Sequence, residues 1–185
     1  MTSCLLVIDA QQSFLHRPYF AARDVPGYLD AQNRLIAGAA RNEIPIVRIF
    51  HVESDPSSAF SLESGHVRPL EGLIEFKPQA VFRKSRHSAL VGSGLDVWLT
   101  EHGIRTVIIS GIRTEQCCET TARHASDLGY RVRYVTDATL TFDMHHLDGS
   151  VLSSGDIKRR TAAVLDNRFA EVSSVEQALE ASAAN

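Results

Sequence analysis

Thr106-Val107-Ile108-Ile109-Ser110-Gly111-Ile112-Arg113-Thr114-Glu115-Gln116-Cys117-Cys118-Glu119-Thr120-Thr121-Ala122 carries an apolar, β-branched run directly into a helix-like one. A strand feeding a helix through a short turn is the unit from which parallel α/β sheets are assembled. The same stretch sets a cysteine in the first turn of the helix. Unpaired N–H groups and the positive end of the helix dipole there favour a thiolate over a thiol. It therefore predicts both a fold and a prepared sulfur nucleophile, and so a hydrolase.

The alternation extends outward on both sides. Apolar runs predict strands over 4–8, 45–50, 80–82, 106–110, 132–136 and 170–172. Most are near-continuous, as expected of strands buried on both faces. Helical spacing predicts helices over 29–41, 95–102, 115–128 and 155–165, with a short one near 175–181. Gly103 and Gly129 stand where C-caps belong. The pattern implies a three-layer α/β/α architecture with a mainly parallel sheet of six strands, in one domain over 1–185. The segments 53–72 and 139–154 lack periodicity and read as long loops, placed to cover a site or meet a partner subunit.

Composition narrows the function classes. A net charge of −3 gives no electrostatic reason to bind nucleic acid or an anionic membrane. No apolar run is long enough to span a bilayer, and the start Met1-Thr2-Ser3-Cys4 lacks the basic region of a signal peptide. Three cysteines, two of them adjacent, suit neither a structural disulfide nor a metal clip and point to a reducing cytoplasm.

Ligand sites of open α/β sheets lie beyond the carboxyl ends of the strands. Asp9 ends the first predicted strand, Lys84 follows the third, and Cys117 lies just past the fourth. Singly, each has an ordinary reading: a turn residue, a solvated ammonium, a small buried hydrophobe. Jointly, they form a nucleophile, a base to take its proton and a cation to hold both. Backbone N–H groups of Arg113 and Cys117 are the natural oxyanion donors. Cys118 falls on the helical stripe of Ala122, Ala125 and Leu128 and is expected in the core. Cys117, about 100° around the helix, faces the cleft. Cys4 begins its strand at the wrong edge for catalysis.

These residues sit in motifs that resemble the isochorismatase-like cysteine hydrolase superfamily, which includes nicotinamidases and N-carbamoylsarcosine amidases. Leu6-Val7-Ile8-Asp9-Ala10-Gln11-Gln12-Ser13-Phe14 resembles its opening Asp-x-Gln-x-x-Phe motif. Lys84-Ser85-Arg86-His87-Ser88-Ala89-Leu90 resembles Lys-x-x-x-Ser-Ala-Phe, with Leu90 for the usual Phe. Gly111 through Ala122 resembles Gly-x-x-Thr-x-x-Cys-Val-x-x-Thr-Ala, with Cys118 for the usual Val. The resemblance implies Cys117 as nucleophile, Asp9 as base, Lys84 as supporting cation and a non-proline cis peptide between Ile112 and Arg113. It also implies a homodimer or homotetramer that needs no cofactor and acts on a small-molecule amide or ureido C–N bond.

Two departures from the family pattern shape the reading. The nicotinamidase branch holds a metal through an Asp-x-His pair, whereas this chain reads Phe50-His51-Val52-Glu53-Ser54-Asp55. His51, Asp55 and His66 lack a ligand spacing, and no metal is expected. Namesake isochorismatases cleave a vinyl ether and usually carry Gly where Cys117 stands, so the sulfur points to acyl transfer. The alternatives are a vinyl ether hydrolase using Asp9 alone, or a non-catalytic assembly protein. Phe14, His51, Phe142 and His145 are the candidate substrate contacts, and Arg113 and Arg86 are candidate carboxylate attractors.

Overall fold

The computed structural model describes residues 2–183. Six strands build one parallel sheet: β1 (Thr2–Ile8), β2 (Ile46–His51), β3 (Ala80–Lys84), β4 (Ile104–Ile112), β5 (Arg131–Leu140) and, after a hairpin of β6 (Met144–His145) with β7 (Val151–Leu152), β8 (Glu171–Ser173). Their order across the sheet is β3-β2-β1-β4-β5-β8. The crossover direction reverses between β1 and β4, which opens a crevice at the carboxyl ends of these two strands.

Strand periodicity sends alternate side chains to opposite faces. Cys4, Leu6 and Ile8 of β1 pack with α2 (Leu95–Glu101), α3 (Glu119–Asp127) and α4 (Ser154–Leu165) through Leu95, Leu99, Ala122, Ala125 and Leu165. Leu5 and Val7 pack on the other face with α1 (Val25–Arg41) and α5 (Val175–Ala183), through Leu35, Ile36, Val175 and Ala178. A third cluster, with Phe14, Tyr28, Phe60, Ile112, Leu140 and Phe142, gathers at the carboxyl edge and walls the crevice.

All six sheet strands lie where the apolar runs put them, and four run further, β1, β3 and β4 by two residues at an end and β5 by four. β5 continues to Leu140 because a register shift lets Thr139 and Leu140 pair with Gly111 and Ile112 after Tyr134 has paired with Ile109. Polar Thr136 and Asp137 interrupt the apolar run there and hide the extension. The segment 139–154 is therefore not one irregular loop, since it holds the end of β5 and the β6/β7 hairpin. The helix expected from 115 opens with a π turn, Thr114–Cys118, before α3 begins. Within 53–72 only Leu62–Ser64 forms a helical turn. This loop is tied over the segment after β1 by Gln12 N–H donating to the Arg68 carbonyl (2.9 Å) and Leu70 N–H to that of Ala10 (2.9 Å).

Candidate active site

Asp9 leaves β1 with φ of 50°, a left-handed conformation that a non-glycine residue adopts at some cost. Its N–H donates to the Ile49 carbonyl at 2.8 Å and its carbonyl accepts from Gln11 N–H at 2.8 Å. These two bonds fix the turn that aims the carboxylate into the crevice. Opposite, Gly111 has φ of 128°, and a Cβ there would lie 1.9 Å from the Ile8 carbonyl oxygen. Only glycine lets β4 close on β1 directly behind Asp9. The peptide between Ile112 and Arg113 is cis, the bond that the motif resemblance implies.

Strand order brings the three chemical groups together. Lys84, from β3, reaches past the end of β2 and donates from Nζ to Asp9 Oδ2 at 2.7 Å and to Cys117 Sγ at 3.4 Å. An Asp9 carboxylate oxygen lies within 4.8 Å of the sulfur. Asp9 Oδ1 is buried with no hydrogen-bond partner among the described residues, which leaves a lone pair open for a proton. Both members of the Lys84–Asp9 pair are fully buried.

His51 ends β2 between Asp9 and Lys84, with Nδ1 3.2 Å from Lys84 Nζ. Burial, reinforced by the Lys84 charge, holds its imidazole below the usual histidine range, so the ring is neutral near pH 7. Asp9, His51 and Cys117 offer three ligand atoms close enough for a metal. The Lys84 ammonium sits within 3.4 Å of an atom of each, and its charge opposes a second cation there. Asp55 and His66, which the sequence set beside His51, are not part of the cluster among the described residues.

The state of the sulfur corrects the expectation of a resting thiolate. Burial, then the charge of Asp9, pushes the Cys117 thiol well above its ordinary range, and Lys84 only partly opposes them. Cys117 is 7% exposed, and its desolvation is the largest influence on the thiol. Burial works against the Lys84 ammonium too, yet Asp9 and Cys117 outweigh it and raise its pKa. Cys118 is fully buried in the apolar cluster and Cys4 lies inside β1, as their positions in sequence suggest.

Above this cluster opens a cavity of about 220 Å³. That is smaller than the several hundred Å³ typical of drug-sized ligands, so the site suits a small molecule. Phe14, His51 and Arg113 line it with Asp9 and Cys117. Phe142 does not: it lies behind the wall, with ring centroids 6.4 Å from Phe14 and 5.6 Å from Tyr19. His145 stands exposed on the β6/β7 hairpin and is not among the lining residues. Arg86 is exposed and also absent from the lining.

Sequence reasoning missed Arg17, Tyr19, Glu53, Phe60, His87 and Gln116, all of which line the cavity. His87 lies three residues beyond Lys84 in the same motif, and its Nδ1 is 3.8 Å from Cys117 Sγ. Glu53 lies two residues past His51, with Oε1 3.8 Å from its Nε2. Arg17, Tyr19 and Phe60 come from segments with no period, and only the folded loops bring them to the edge.

A parallel sheet whose carboxyl edge presents a buried thiol, carboxylate and ammonium beneath a small cavity has the layout of a nucleophilic hydrolase. Residues 3–177 match the isochorismatase domain, and the chain belongs to the isochorismatase family. A solved isochorismatase-family protein from Chromobacterium violaceum superposes with a TM-score of 0.89 over 100% of this chain and 94% of that one, at 26% identity. Nicotinamidase from Escherichia coli is 40% identical over 72% of this chain and 80% of its own. A ureidoacrylate amidohydrolase from Variovorax paradoxus is 36% identical over 47% of this chain and 34% of its own. The chain spans 40% and 57% of two other, longer curated relatives. No helix among the described residues is long and apolar enough to cross a membrane.

Proposed function

We propose that the protein is a cysteine-dependent hydrolase of a small-molecule amide or ureido C–N bond, working through a thioester. The observation that carries the reading is the position of Lys84 Nζ, within hydrogen-bond reach of both the Asp9 carboxylate and the Cys117 sulfur. Losing the thiol proton to solvent is costly because it adds a second buried negative charge. Passing it to Asp9 is different. The negative charge moves from carboxylate to sulfur while the same ammonium faces both, so the buried charge count is unchanged. A high thiol pKa and a working nucleophile are therefore compatible.

The reaction follows from that transfer. Asp9 accepts the Cys117 proton and the sulfur attacks the carbonyl carbon. Backbone N–H groups of Arg113 and Cys117 hold the oxyanion, each donor contributing about 3 kcal/mol. The tetrahedral adduct collapses, the C–N bond breaks, and Asp9 returns the proton to the departing amine. Water then gives a proton to Asp9 and attacks the thioester, and the acid leaves as the sulfur regains its proton. Relatives named for nicotinamide and ureidoacrylate hydrolysis support an amide or ureido carbonyl.

A release assay for ammonia over small primary amides and ureido compounds tests the reading, run with wild type and Cys117→Ala. The expected result is a substrate whose turnover falls by about 10⁴-fold or more in the variant. Full ammonia release by Cys117→Ala would overturn the thioester route, whereas cleavage of a vinyl ether substrate unaffected by that substitution would favour the reading that uses Asp9 alone. No turnover of any compound would favour a non-catalytic role.

A further inference from the structure

The cavity holds one permanent charge that the chemistry above leaves unused. Lys84 is paired with Asp9 at 2.7 Å, and Arg113 Nη2 lies 3.0 Å from Glu115 Oε1, with its guanidinium 4.7 Å from the Tyr19 ring centroid. Arg17 also lines the cavity, and no carboxylate lies within ion-pair distance of it among the described residues. Its Nε is buried without a hydrogen-bond partner. The guanidinium carbon is held 5.7 Å from the Tyr19 ring centroid and 5.9 Å from that of Phe60.

A buried donor left unpaired costs on the order of 1–3 kcal/mol, more when it is charged. A guanidinium steadied by aromatic rings, with a free edge in a ligand cavity, is shaped for a planar anion held by two parallel bonds. Of the two carboxylates on the wall, Asp9 is paired with Lys84, and Glu53 accepts from Ser58 Oγ at 2.5 Å and lies near His51. Its charge repels an anion and leaves Arg17 as the place for one.

We infer that the substrate carries a carboxylate at the end remote from its scissile carbonyl, and that Arg17 binds it. The substrate class is then an amido or ureido acid, small enough for about 220 Å³. This rests on the amidohydrolase reading for the scissile group, while the anion site stands on the cavity alone.

Equilibrium binding to the Cys117→Ala protein, which cannot form the thioester, separates the two. Calorimetry would compare succinamate, glutaramate and 3-ureidopropionate with succinamide, glutaramide and 3-ureidopropionamide. At least one anion is expected to bind about tenfold or more tightly than its neutral partner. Adding Arg17→Gln should erase that preference, and Arg17→Lys should keep part of it, since the charge persists but the planar fork is lost. Equal binding of anion and neutral partner, no saturable binding of any anion, or a preference that survives Arg17→Gln overturns the inference. A failed ammonia screen with a retained anion preference would sink the amidase reading and leave the Arg17 site intact.

Discussion

The body of the sheet and its carboxyl edge are made by the same strands, yet they are held by different forces. Leu5, Leu6, Val7 and Ile8 are buried to 1% exposure or less, and their neighbours are apolar on both faces. The next residue, Asp9, is equally buried, but it is charged and depends on one partner from a strand two positions away. Non-directional burial tolerates exchange of one apolar side chain for another of similar volume. A buried ion pair does not, since removing one partner strands the other in a medium that cannot solvate it. The body supplies stability, and the edge draws on it to hold groups that water would otherwise separate.

Lys84→Met puts the largest load on this contrast. The variant should lose about 3–5 kcal/mol of unfolding free energy in urea titrations, because Asp9 is left buried and unpaired. Turnover should vanish with it. Adding Asp9→Asn should recover much of the stability without any turnover, since a neutral amide no longer needs the ammonium. A Lys84→Met protein as stable as wild type would mean that the carboxylate is not held by that charge, and the proton-transfer argument would fail.

Gly111→Ala probes the seam where body meets edge. Its Cβ would meet the Ile8 carbonyl oxygen at 1.9 Å, and backbone on both sides prevents relief. A loss of about 3 kcal/mol is expected, together with reduced turnover, because Asp9 follows Ile8 directly. Gly129 provides the comparison: its φ is 87°, but nothing lies within 4 Å of a Cβ there. Gly129→Ala should cost only the left-handed conformation, about 1–2 kcal/mol, with turnover preserved. Equal effects at the two glycines would show that the contact behind Asp9 is not tight.

The same contrast explains what the sequence made legible. Both-face burial writes itself into continuous apolar runs, so the positions of all six sheet strands could be read from 4–8 through 170–172. The edge became legible where residues are held in ordered motifs, as with Asp9, Lys84 and Cys117. It was illegible where only loop closure brings residues in. Arg17 and Phe60 are separated by more than forty positions and meet at 5.9 Å through segments that carry no period. Phe142 misled for a related reason: an aromatic residue after a strand end looks the same in sequence whether it faces the cavity or supports its wall. The protonation of Cys117 was misread because helix position is visible in a sequence and desolvation is not.

The smallest expected effect compares a thiol of the body with the thiol of the edge. Burial alone pushes Cys4 up to about 12, opposed only by a backbone hydrogen bond at Val47. A thiol raised in the fold binds its proton more tightly there than in the unfolded chain. Its contribution is therefore complete below the unfolded value of about 9 and is lost as pH rises toward the folded one. Between pH 8 and pH 10 Cys4 should account for about 1.4 kcal/mol of lost stability, or roughly 3–6 °C in melting midpoint. Cys4→Ala should lower the midpoint at every pH by its packing loss but make the alkaline decline shallower by that amount. Cys117→Ala should flatten the decline in the same direction, since its thiol is also raised, though there Asp9 adds to burial and Lys84 opposes it. With both thiols still protonated in the fold over this range, the two variants should flatten the decline between pH 8 and pH 10 by similar amounts. A decline left unchanged by Cys117→Ala would mean that the Lys84 charge, and not burial, governs the edge thiol.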